Sequence, residues 1–74
     1  MAYWKEPVMG YSDCVKSEGK RIARSAILGG WDAEKIHEEV VERALLVSEA
    51  YGRRFFEATR KIASWERRYY VAMA

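Results

Sequence analysis

Cysteine and histidine are nearly absent from this sequence. Cys14 is its only cysteine, so no internal disulfide can form. A lone thiol fits a reducing compartment, and the expected location is cytoplasmic. Cys14 and the single histidine, His37, cannot together complete the ligand set of a structural zinc site, so no metal is expected. Proline occurs once, at Pro7, and nothing of its kind interrupts the rest of the chain. Glycine is sparse too, and Gly52 is the only one after Gly30. The first ten residues, MAYWKEPVMG, lack the basic start and apolar run of a secretory signal. Charges interrupt every window of about 18–20 residues, so no membrane partner is expected.

What is present is apolar and charged in turn. Hydrophobic residues make up 50% of the 74 positions and charged residues 32%, too apolar a balance for a disordered chain. The length allows one small domain, 1–74. The net charge of +2 is unevenly spread: residues 1–31 carry +2, residues 32–50 carry −4 and residues 51–74 carry +4.

The pattern predicts an all-α protein. Residues 1–11 read as a non-helical arm, because Pro7 disfavours helix before it and Gly10 loosens the backbone after it. Tyr3, Trp4, Val8 and Met9 are expected to pack on a neighbouring surface. A short first helix over about 12–28 has Ser12 as N-cap, with Asp13 suited to its first turn. Val15, Gly19, Ile22 and Ala26 form one small-sided face that invites close approach. Gly29-Gly30 ends this helix. Asp32 caps the next, with Trp31 and Ile36 placed as a hydrophobic staple.

From Ile36 the apolar stripe reads Val40, Ala44, Val47, Tyr51, Phe55, Ala58, Ile62, Trp65 and Tyr69. It repeats every eleven residues, close to the straight-helix period. Val41, Leu45, Phe56, Ala63 and Tyr70 add a second flank, so the face is broad, as in a bundle. The stripe runs through Gly52 without a break. One long second helix over about 32–72, bent if anywhere at Gly52, is the expectation. The whole is a helical hairpin.

Such a hairpin needs a partner. The first helix spans roughly 25 Å and the second about 60 Å. The overhang exposes Phe55, Phe56, Ile62, Trp65 and Tyr69 as an oligomer interface. An antiparallel homodimer in an oligomeric helical bundle would set −4 segments beside +4 segments. Glu39–Arg43, Glu49–Arg53 and Glu57–Lys61, spaced i,i+4, are the intrahelical alternative use of those charges.

No catalytic constellation is legible, and neither an enzyme nor a cofactor is expected. His37 beside Glu38 and Glu39 reads as a solvated residue, and Cys14 as a small half-buried side chain. Arg53, Arg60 and Arg67 form one column at intervals of seven, and Arg54, Lys61 and Arg68 a second, with Tyr70 at the edge. Such a ribbon suits protein contact or phosphates. A helix-turn-helix around Ala26, Gly30 and Ile36 is opposed by Glu34, Glu38 and Glu39 on the reading helix. The expected function is therefore a non-catalytic interaction protein, an adaptor, inhibitor or regulator. It self-associates and docks on a larger protein assembly. The alternative is a small DNA- or RNA-binding regulator.

Overall fold

A computed structural model describes residues 9–74 of the chain; the expectations for Tyr3, Trp4 and Val8 lie outside these residues. They form three α-helices of equal length: α1 (Tyr11–Gly29), α2 (Ala33–Tyr51) and α3 (Phe55–Met73). Among the described residues there is no strand. The expected long helix over 32–72 is thus two helices, and the hairpin is a three-helix bundle.

Gly52 explains the break. It adopts φ 65° and ψ 35°, the left-handed region, and Arg53 donates its N–H to the Ser48 carbonyl at 2.9 Å. Gly30 does the same at φ 66°, with Trp31 donating to the Ala26 carbonyl at 2.9 Å. Both loops therefore open with one motif, a glycine C-cap closed by a backbone bond to an orphan carbonyl. The glycine pair announces the first cap, whereas the continuous stripe hides the second. A stripe cannot register a reversal when Tyr51 and Phe55 both face the same core.

Asp32 caps α2 as expected, its carboxylate accepting from the Lys35 N–H at 2.8 Å. The start of α1 is corrected: Tyr11 already belongs to the helix, and Gly10, not Ser12, is the N-cap. Packing pins that first turn. The Tyr11 ring meets Tyr51 edge-on at 5.8 Å, and the Tyr51 hydroxyl donates to the Met9 carbonyl at 2.9 Å. Arg54 begins α3 without a side-chain cap.

Apart from Tyr11, the core is made of small and medium side chains: Val15, Ile22, Ala23 and Ala26 from α1; Val40, Ala44 and Val47 from α2; Ala58 and Ile62 from α3. Every stripe member falls in this core or packs beside it, except Tyr69, which is half-buried. The small face of α1 performs as its composition suggests. A Cβ placed on Gly19 would stand 2.6 Å from the Trp65 Cβ and 2.8 Å from both the Glu66 nitrogen and the Ile62 oxygen. Only glycine lets α1 and α3 come this close. Lys16 lies over Trp65 and Lys20 over Tyr69, so the two helices run parallel, with α2 antiparallel to both.

Candidate interaction surfaces

Three grooves separate the helices, and they differ in chemistry. The α1/α2 groove is polar, holds a depression of about 280 Å³ and is bridged by a cluster of ion pairs. The Arg43 guanidinium donates to both oxygens of Glu18, at 2.9 and 3.2 Å, and Arg21 adds a third bond at 2.9 Å. Burial alone would push the Glu18 carboxyl up, but these bonds and charges outweigh it and hold the group below the ordinary carboxylate value. Arg43 therefore bonds across helices to Glu18 rather than within its own helix to Glu39. Glu39 pairs with Lys35 at 3.0 Å instead, and Arg53 lies 3.9 Å from Glu57. None of the three i,i+4 pairs read from the sequence is among the ion pairs of the described residues.

The α2/α3 groove is apolar and open, with a volume of about 500 Å³. Ile36, Val40 and Ala63 line its floor, and His37, Arg60 and Arg67 stand at its edges. Glu66 also lines it. This carboxyl belongs to a side chain only 5% exposed and has no ion-pair partner among the described residues. Burial pushes its pKa up, and Arg67 only partly opposes the shift. His37, Val41 and Leu45 follow at i, i+4 and i+8, so Val41 and Leu45 continue the His37 edge. On α3, Phe56 and Tyr70 lie on the same helix side as Arg60 and Arg67. Of the second flank of the sequence pattern, Ala63 lines the groove, while Val41, Leu45, Phe56 and Tyr70 extend the same two helix sides beyond its lining. Leu45 is 50% exposed and Phe56 is 78% exposed.

The third surface lies over α1 and α3. Lys16 sits 5.2 Å and the Arg68 guanidinium 4.3 Å from the Trp65 ring, and Lys20 sits 5.5 Å from the Tyr69 ring. Trp65 and Tyr69 stack at 6.0 Å with 28° between their planes. Lys61, Ser64 and Arg60 complete a shallow depression beside Trp65.

These placements correct the expected interface. Ile62 is fully buried within its own chain, and Phe55 and Trp65 pack against that same core. The sequence expectation leaves them bare because it lays α3 out as an overhang, whereas the turn at Gly52 folds it back along α1. Phe56 alone of the five stays largely exposed. Arg53 and Arg54 precede α3 rather than riding on it, so each basic column loses its first member, and Arg53 instead covers the Tyr11 ring at 4.4 Å. Arg60, Arg67, Lys61 and Arg68 remain exposed on α3, and Tyr70 is half-buried. The acidic segment does lie antiparallel beside the basic one, but within a single chain.

Among the described residues no group of three or more potential ligands could hold a metal ion, and no helix is long and apolar enough to cross a membrane. Comparison with protein-family models, with curated proteins and with solved structures finds no match.

Proposed function

We propose that this chain is a non-catalytic helical interaction protein that self-associates through the α2/α3 groove and docks on a larger protein assembly. The observation that carries the reading is the open apolar α2/α3 groove, together with Leu45 and Phe56 left in solvent on the two helices that form it. Phe56 meets the Phe55 ring at 5.8 Å but stays 78% exposed, whereas burying a side chain of this kind in an interface is worth about 1.5–3 kcal/mol.

Charge selects a second copy as the occupant. The α2 rim carries Glu34, Glu38 and Glu49, and the α3 rim carries Arg60 and Arg67, all exposed. None of these five is in an ion pair among the described residues. A two-fold axis parallel to the helices sets α2 of one copy antiparallel on α3 of the other. Acid rim then faces basic rim twice, and the two apolar walls close into a four-helix core. The rim charges fix orientation more than strength.

The protein acts by occupying a surface. Cys14 packs on the core from α1, while His37 stands at the groove on α2, so the two lie on different helices. The lone thiol fits cytoplasmic residence.

Sedimentation equilibrium tests the self-association. The wild-type protein should show at least twice the 8.6 kDa chain mass, and Phe56→Lys should show the single-chain mass with unchanged helix content. A wild-type protein that stays at one chain mass at high concentration refutes the reading.

A further inference from the structure

We infer that the α1/α3 surface is a binding site for the sugar-phosphate backbone of duplex nucleic acid, gripped without reading bases. This site goes beyond self-association and does not depend on it, because Lys16 and Lys20 lie on α1, the helix that takes no part in the α2/α3 groove.

Four cations from two helices meet on this face. Lys16 and Lys20 come from α1, and Lys61 and Arg68 from α3; all four are exposed. They are juxtaposed because Gly19 lets the two parallel helices touch backbone to backbone. None of the four is in an ion pair among the described residues. The acids of these helices are largely engaged elsewhere. Glu18 is held by Arg43 and Arg21 on the α2 side, Glu57 lies against Arg53, and Glu66 lines the opposite groove. Asp13, one turn before Lys16, is the remaining acid of α1.

The arrangement suits a repeating polyanion better than a single anion. The cations stand in two rows, and successive members of the α1 row are about 6 Å apart along the axis. The depression beside Trp65 is shallow and open, with no enclosed seat for one phosphate. Trp65 and Tyr69 hold three of the cations in place through their rings, at 4.3 to 5.5 Å. Rings that carry cations present positive charge outward and are not free to stack on bases, which favours a paired backbone over an unpaired strand. On the far side, α2 has the opposite sign, with Glu34, Glu38, Glu42 and Glu49. The charge asymmetry orients the protein on its ligand.

Fluorescence anisotropy of a labelled, mixed-sequence DNA duplex, titrated with the full chain, tests the site. Binding should weaken as salt rises, with a log–log slope of about −3 to −4 for four released phosphate contacts. Lys16→Glu/Lys20→Glu should weaken binding at low salt by about tenfold or more, and Arg68→Glu should act in the same direction. Lys35→Glu, a cation on α2, should leave the affinity unchanged. Circular dichroism of each variant separates loss of binding from loss of fold, and Lys16 and Lys20 are exposed enough that the fold should persist. The inference is overturned by absence of binding at about 50 mM salt. It is also overturned by equal losses for Lys35→Glu, by tighter binding to the unpaired strand, or by stronger binding to phosphatidylserine vesicles than to the duplex.

Discussion

Replacing Gly19 by alanine sets two effects of opposite sign against each other. In an isolated helix the change is favourable by about 0.5–1 kcal/mol, because glycine surrenders more backbone entropy on folding. In the bundle the new Cβ would stand 2.6 Å from the Trp65 Cβ and 2.8 Å from two atoms of the α3 backbone. Ordinary carbon contacts lie at about 3.5–4.0 Å, so the shortfall is near an ångström. No rotamer change can clear a backbone atom; α1 must lift off α3. Overpacking of this kind costs about 1–3 kcal/mol. The packing term wins, leaving a net loss of about 0.5–2 kcal/mol. In a domain this small, each kcal/mol moves the melting temperature by about 4–8 °C. Gly19→Ala should therefore melt roughly 2–16 °C below wild type when followed by far-ultraviolet circular dichroism. A Gly19→Ala protein at least as stable as wild type would show that α1 and α3 do not touch at this point.

Two carboxyls should leave opposite marks on the pH dependence of stability. The folded pKa of Glu18 is depressed, so its contribution is present above the ordinary carboxylate value of 4.5 and is lost as pH falls through the depressed folded value. Glu18→Gln should therefore cost about 1–3 kcal/mol at neutral pH in urea unfolding and much less in acid. The folded pKa of Glu66 is raised, so its charged form weakens the fold increasingly as pH climbs from 4.5 through the raised value. Glu66→Gln should raise the melting temperature at neutral pH and change it little in acid; a drop at neutral pH would mean the carboxylate has a stabilising partner.

The helical class, the first turn and most core positions are legible in the sequence, because periodicity and glycine caps act locally; Tyr11, read as part of a non-helical arm, and Ala23 are core residues it misses. Asp32 and Gly30 declare themselves by residue type. The small face of α1 announces the close approach that Gly19 makes. The fold-back at Gly52 is not legible, since the spacing from Tyr51 to Phe55 is the same whether the chain continues or reverses. The signal that could have found it is Gly52 itself, matched against Gly30. That error carries into the interface, turning Ile62 and Trp65 from core residues into expected contacts. The Glu18–Arg43 pair escapes for another reason: partners 25 positions apart leave no periodic trace. The second apolar flank is visible in the sequence, but only the bundle shows that no described helix covers the α2/α3 groove beside it.

Isotope-filtered nuclear Overhauser spectroscopy on an equal mixture of carbon-13-labelled and unlabelled chains tests self-association through the α2/α3 groove most directly. Contacts between copies should join the Leu45 and Val41 methyls of one to the Phe56 and Tyr70 rings of the other. A spectrum with no contacts between copies, or with contacts confined to α1, would contradict it.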